Sequence, residues 1–439
     1  MKKSYFIIAA MAAITITSCK SKIEPDVPSA GEANFTKYVA IGNSLTAGFA
    51  DGTLYKSGQE SSYPNMLAGQ FQLVGGGAFK QPLLNDNAGW PTLKRVLGIK
   101  ANCATGVPGL SPVLFSGTPD ASNANNISAA GPYNNLGVPG IRCIDYGFPG
   151  YGSLNPYSAR FFTDAQKAGT PMAVALGSQA TFFTCWLGNN DVLGYATGGG
   201  EGAASGIVPG DISPVATFKA VYDGLIDGMT ANGAKGALMT IPDVSATPFF
   251  TTIPAKGLPL TRQGQVDSLN AAYNGTGITF SLGANFFVIA DATVVPFGFR
   301  QAKAGEFILL TASDSITCGG WGSKKPIPEA YTLTADEVAN VVNATNAFNQ
   351  IITDNATEHG LALVDMNAYI KSLVSGITWN GVSYTATFVT GGAFSLDGIH
   401  LTPRGYALAA NEILRVVNQH YKASIPAVDI NKYNGILFP

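Results

Sequence analysis

Short apolar runs of strand character, each closed by a turn rich in Gly, Ser, Asn or Pro, alternate along this chain with segments of helical periodicity. That alternation limits the fold more than any other feature. Strands separated by helices pair in parallel, and a parallel sheet needs helices on both faces to leave water. The runs fall at about 37–42, 181–187, 236–241 and 361–365, with a shorter one inside 134–140. Helices are expected over 61–71, 214–232, 334–358 and 403–420. The third is the clearest: Thr334 can cap it, Glu337 stands three residues on, and His359-Gly360 closes it. Pro403 suits the first turn of the last helix, and Asn380-Gly381 marks a hairpin within 376–390. Residues 72–132 read as loop-rich. Residues 243–330 read as a second elaboration, with strand-like pieces at 285–290 and 306–310, placed as a cap over a site.

The N-terminus reads as a processing signal. Lys2 and Lys3 precede an apolar run, Tyr5 to Ile16, too short to span a bilayer comfortably. The run ends in Ile16-Thr17-Ser18-Cys19, which resembles a bacterial lipoprotein box; the bland alternative is an ordinary secretory signal with an accidental cysteine. The resemblance implies a signal peptide over 1–18, lipidation at Cys19, a flexible tether over 19–35 and a folded domain over 36–439. It places the protein in the cell envelope, held to the membrane by the lipid anchor alone. Lys20 is not the aspartate associated with inner-membrane retention, so the outer membrane is favoured.

Loss of Lys2 and Lys3 with the leader takes the formal charge from −2 to −4. With no basic cluster anywhere, a nucleic-acid partner is not expected. Of the five cysteines, four remain beyond Cys19. The envelope permits disulfides. Cys103 with Cys143 is the expected bridge if one forms, and Cys185, within an apolar run, reads as a buried free thiol.

The run Tyr38 to Phe49 is a buried strand that ends at Ser44. Serine at a strand–helix junction is also a good helix cap, so alone it says little. Near the other end, Asp397-Gly398-Ile399-His400 supplies a carboxylate and an imidazole three residues apart. Four blocks in order, Gly42-Asn43-Ser44-Leu45, Asn135-Leu136-Gly137-Val138-Pro139-Gly140, Gly188-Asn189-Asn190-Asp191 and Asp397-Gly398-Ile399-His400, resemble the SGNH/GDSL hydrolase family. The resemblance implies a three-layer α/β/α flavodoxin-like sandwich with a central parallel sheet and long loop insertions. It implies catalytic residues Ser44, Asp397 and His400. The oxyanion hole would comprise the Ser44 and Gly140 backbone N–H groups and the Asn190 amide. The chemistry needs these types: a hydroxyl is a weak nucleophile without a base, imidazole titrates near neutrality, a carboxylate fixes its tautomer, and the tetrahedral intermediate needs donors. The family's first block commonly reads Gly-Asp-Ser, and here Asn43 replaces the acid.

Asp191, Asn135 and Asn189 read as turn residues, with Asp191 tying its own turn. His359 and His420 read as helix-end partners. With three histidines in all and no H-E-x-x-H, G-x-S-x-G, Walker A or G-x-G-x-x-G pattern, no metal or cofactor is expected. The expected activity is carboxylic ester hydrolysis, on a small-molecule, lipid or acylated-glycan ester, as in an esterase or lipase. Two alternatives stand: an acyltransferase on the same residues, and a non-catalytic envelope lipoprotein that binds glycan or lipid.

Overall fold

The computed structural model describes residues 27–439. The leader, Cys19 and the first part of the tether lie outside the described residues. Five parallel strands form the central sheet: β1 (Tyr38–Gly42), β2 (Asn135–Gly137), β3 (Phe182–Trp186), β4 (Lys235–Met239) and β5 (Ala362–Val364). Their order across the sheet is β5-β4-β3-β1-β2, and every pairing is parallel. This 2-1-3-4-5 order is the flavodoxin-like one, so the fold class read from the sequence holds.

Helices cover both faces, as the apolar strands require. They are α1 (Ser44–Ala47), α2 (Tyr63–Gln72), α3 (Asn190–Thr197), α4 (Val215–Thr230), α5 (Ala335–Glu358) and α6 (Pro403–Tyr421). Successive strand residues point to opposite layers. Val39, Ile41, Phe183 and Cys185 enter a core with Phe218 and Tyr222 of α4 and Phe348 and Ile352 of α5. Tyr38, Ala40, Phe182 and Trp186 enter the other, with Tyr63 and Phe71 of α2 and Leu408 and Ile413 of α6. Phe218 stacks on Phe348 at 4.1 Å between centroids, which locks α4 to α5. Helix ends follow their capping residues. The Glu337 carboxylate accepts from the Thr334 N–H at 2.7 Å, and the Thr402 hydroxyl accepts from Gly405 N–H at 3.0 Å. Among the described residues no helix is long and apolar enough to cross a membrane.

The insertions hold more order than their composition signals. Within 72–132, Arg95–Ala101 pairs antiparallel with Pro108–Leu114. The second insertion has three short antiparallel pairs, Leu258–Leu260 with Gly283–Asn285, Val288–Ala290 with Phe299–Gln301, and Phe307–Ile308 with Thr332–Leu333. They enclose small cores of their own around Tyr273 and Phe287. The hairpin at Asn380-Gly381 forms as expected, with φ of +47° and +79° at its two turn residues.

Two expectations need correction. The bridge is Cys103–Cys318, not Cys103–Cys143. Cys103 sits in the turn of the exposed hairpin and reaches the helix Ser313–Gly319 of the second insertion, beside the Lys100–Asp314 ion pair. Cys143 is fully buried under the sheet, and Cys185 is a buried free thiol as expected, its pKa pushed up to about 12 by burial. The second correction concerns the tether. From Ser29 to Phe35 the chain is docked: Glu32 N–H donates to the Tyr421 carbonyl at 2.7 Å, and buried Phe35 stacks on Phe71 at 4.1 Å. An apolar ring at position 35 gains more by completing the second core than by staying in water.

Candidate active site

Ligands in open parallel sheets sit beyond the C-terminal strand ends where the strand order reverses. Here that point lies between β1 and β3, and Ser44 and Asn190 follow those two strands directly. A Cβ on Gly42 would overlap the Thr46 hydroxyl and the Trp186 carbonyl, so only glycine lets α1 turn so tightly off β1. The cap of α1 is Asn43, not Ser44: buried Asn43 Oδ1 accepts from Leu45 N–H at 3.1 Å, and its Nδ2 donates to Asn189 Oδ1 at 2.9 Å. Capping falls to Asn43, and the Ser44 hydroxyl is left for other work. As the first residue of α1, Ser44 also has a backbone N–H ahead of the helix's own hydrogen-bond pattern.

The hydroxyl of Ser44 lies 2.8 Å from His400 Nε2, and His400 Nδ1 lies 2.9 Å from Asp397 Oδ2. The three residues named from sequence therefore form one continuous chain across 356 positions. Asp397 Oδ1 accepts from the Ile399 and His400 backbone N–H groups at 2.9 and 2.8 Å, and from the Ser395 hydroxyl at 3.1 Å. Its Oδ2 also accepts from Gly52 N–H at 3.0 Å. Burial alone would push the Asp397 carboxyl upward; His400 and the N–H donors outweigh it and hold the group well below the usual carboxylate range. An ionised carboxylate only accepts, so His400 Nδ1 carries the proton toward it and Nε2 offers a lone pair to the Ser44 hydroxyl.

Asn190 is the first residue of α3. Its amide donates one N–H to the Ile141 carbonyl at 2.9 Å, and its side chain borders the cleft shared by Ser44 and His400. The second N–H has no acceptor among the described residues. Gly140 stands on an exposed turn beyond β2, the strand beside β1, with φ +81°. The space beside it is open, with Asn155 Nδ2 3.8 Å from where a Cβ would stand, so the left-handed backbone rather than crowding calls for glycine.

Asp191 is structural, as read, but it ties a different turn from its own. Its Oδ2 accepts from Cys143 N–H at 2.6 Å, joining the segment after Gly140 to the start of α3. Burial pushes its pKa up to about 7, against the pull of that N–H. Asn135 donates to the Thr46 carbonyl and accepts from Gly137 N–H, bracing the second turn. His359 caps α5 and meets Thr230 Oγ1 at 3.1 Å, while His420 contacts the Gly360 carbonyl at 3.0 Å; neither joins the site.

Three supports were not legible in the sequence. The Asp51-Gly52 turn holds the Asp397 loop: Gly52 N–H reaches Asp397, and Asp51 Oδ1 accepts from Leu396 N–H at 3.0 Å. Phe49 packs against His400 at 4.5 Å between centroids. Phe249 N–H donates to the Gly398 carbonyl at 2.9 Å, so the second insertion grips the same loop. An Asp-Gly pair announces a turn, but nothing local announces a partner 345 residues away.

The family profile described as GDSL-like Lipase/Acylhydrolase matches residues 38–413. Among solved structures, a crystal structure of a GDSL-like protein from Parabacteroides merdae ATCC 43184, described there as a candidate lipase, is similar at 11% identity. That likeness covers 89% of this chain and 99% of the other, with a TM-score of 0.35. Among curated proteins none matches the chain.

Proposed function

The chain belongs to the GDSL-like lipase/acylhydrolase family of hydrolases, and from that premise we propose that it hydrolyses carboxylic esters through an acyl-serine intermediate. The observation that carries this is the unbroken hydrogen-bond chain Ser44–His400–Asp397, at 2.8 and 2.9 Å.

In this reading Ser44 Oγ attacks the ester carbonyl as His400 Nε2 takes the hydroxyl proton. Asp397, held ionised, stabilises the imidazolium and fixes its orientation. Negative charge gathers on the former carbonyl oxygen, where the Ser44 and Gly140 N–H groups and the free Asn190 N–H can meet it. The tetrahedral intermediate collapses as the C–O bond to the alcohol breaks, and His400 returns the proton to the leaving oxygen. Water then repeats the sequence in reverse roles: His400 takes its proton, the acyl–Ser44 bond breaks, the proton returns to Ser44 and the acid leaves. Every step is a proton transfer or an exchange at carbonyl carbon, so the groups at hand suffice.

The test is hydrolysis of p-nitrophenyl acetate by purified protein beside Ser44→Ala. Loss of about 10⁶-fold in turnover is expected on removing such a nucleophile. Equal rates in both proteins would remove Ser44 from the reaction. The Cys19 signal supports an envelope lipoprotein in which the domain acts near the outer membrane. Cys19→Ser would then leave the protein unlipidated and shift it out of the membrane fraction.

A further inference from the structure

We propose that Asn155 is a positioning residue for ester cleavage: its amide clamps the Pro139 carbonyl and so aims the Gly140 N–H that meets the developing oxyanion. This rests on the serine-hydrolase reading and adds to it a residue that touches no reacting atom.

Asn155 stands at the N-terminal end of the short helix Pro156–Phe161. Its Oδ1 accepts from Tyr157 N–H at 2.9 Å, which caps that helix. The cap also fixes which end of the amide is which, because Oδ1 must face a donor and Nδ2 must face acceptors. The two Nδ2 hydrogens go to the Pro139 carbonyl at 2.8 Å and to the Tyr151 hydroxyl at 3.0 Å. The backbone is held as well. Asn155 N–H donates to the Tyr151 carbonyl at 3.2 Å, and the Asn155 carbonyl accepts from Ala159 N–H at 3.0 Å. Every polar atom of the residue has a partner, so the side chain is locked in one orientation.

The Pro139 oxygen and the Gly140 hydrogen belong to one peptide group. Such a group is planar, and in its trans form the C=O and N–H point in opposite directions. A clamp on the oxygen therefore sets the direction of the N–H. The Gly140 N–H itself donates to no backbone acceptor among the described residues, as suits a donor kept for substrate. Beyond Gly140 the chain is tied separately: Ile141 N–H donates to the Val138 carbonyl at 3.2 Å, and the Ile141 carbonyl accepts from the Asn190 amide at 2.9 Å. Gly140 is exposed, has φ +81° and carries no Cβ, so it offers the preceding peptide little resistance to rotation. The hold has to come from outside the turn, and Asn155 supplies it. A hydrogen bond accepted at the C=O also polarises the peptide and strengthens its N–H as a donor. Capping alone needs none of this, since it uses only Oδ1, and Ser or Asp would serve there equally.

The experiment measures kcat and KM for p-nitrophenyl acetate, and Ki for trifluoroacetone, in wild type, Asn155→Ser, Asn155→Asp and Ser44→Ala. Both Asn155 variants keep a cap acceptor, one neutral and one charged, and lose the amide N–H groups. Ser44 adds to the ketone as to an ester: the Oγ–C bond forms, the carbonyl π pair moves to oxygen, and His400 takes the hydroxyl proton. The adduct thus reports on the oxyanion donors without a leaving group. Misdirecting one donor should lower kcat about 10–100-fold in both variants, with KM within a few fold. The ketone Ki should rise by a similar factor. The pH dependence of kcat/KM should match wild type, because His400 and Asp397 are untouched. Wild-type kcat in Asn155→Ser would reduce the residue to a helix cap and overturn the proposal. A fall in kcat with the ketone Ki unchanged, or with a shifted pH profile, would place the fault away from the oxyanion donors and overturn it too. Turnover that is unchanged in Ser44→Ala would sink the serine-hydrolase reading itself.

Discussion

Asp191→Asn tests how the oxyanion side of the site is held together. Asp191 is fully buried between α3 and the segment after Gly140, and burial pushes its pKa up to about 7 from the ordinary 3.8. The folded protein thus keeps the Asp191 proton where the unfolded chain has lost it. Between those values the folded state binds more protons, so stability falls as pH rises through the window. A pKa difference of one is worth about 1.36 kcal/mol, which sets a full effect of about 4 kcal/mol. Integrated from pH 4.5 to pH 8, the loss is about 3 kcal/mol. The substituted amide would not titrate, and other ionisable groups cancel when the two proteins are compared at each pH. Urea unfolding at pH 4.5 and pH 8 should therefore show wild type losing about 3 kcal/mol relative to Asp191→Asn. A difference flat to within about 0.5 kcal/mol would refute a buried carboxyl of raised pKa at this position. Function offers a second readout. The Cys143 N–H at 2.6 Å couples the Gly140 turn to Asn190, so Asp191→Ala should lower kcat by about 10–100-fold through misplaced donors while KM changes little.

The remaining predictions concern neighbouring groups. On the proposed mechanism Asn190→Ala removes one oxyanion donor, and it should lower kcat about 10²–10³-fold with KM within a few fold, read on p-nitrophenyl acetate. Asp397→Asn should lower kcat about 10⁴-fold at neutral pH by letting His400 adopt the wrong tautomer. Because the folded Asp397 pKa is depressed, its contribution to stability is intact above the unfolded carboxylate range and is lost as pH falls below it. Acid unfolding of Asp397→Asn should accordingly depend less on pH below about 4 than that of wild type. Cys103→Ser with Cys318→Ser should cost about 2–4 kcal/mol of stability, seen as a lower unfolding midpoint, since the bridge closes a loop of 215 residues.

The parts of the molecule legible in the sequence are those whose signal is local. Phe182 to Trp186 is buried on both faces of a central strand and is apolar but for Thr184, so its type is plain. Helix α5 announces both ends through Thr334, Glu337 and Gly360. The site was legible because each residue stands in a short block, and the sheet then carries the blocks to one edge. What escaped is long-range. The hairpin Arg95–Leu114 carries Gly98, Pro108 and Pro112 and is largely exposed, so neither periodicity nor burial marks it. Its disulfide partner sits in the other insertion, and no spacing within the sequence encodes that meeting. The same holds for Asp51 and Gly52, whose role depends on a loop that arrives 345 residues later. Asn43 shows the reverse case. It departs from the family's usual acid, yet it takes the capping position and leaves the serine free.

The most direct test of the central claim is to treat the purified protein with a fluorophosphonate and locate the adduct by peptide mass spectrometry, in wild type, Ser44→Ala and His400→Ala. A single adduct on Ser44, absent from the first variant and formed far more slowly in the second, is the predicted result. An adduct at another residue, or none on a protein that still cleaves esters, would contradict the account.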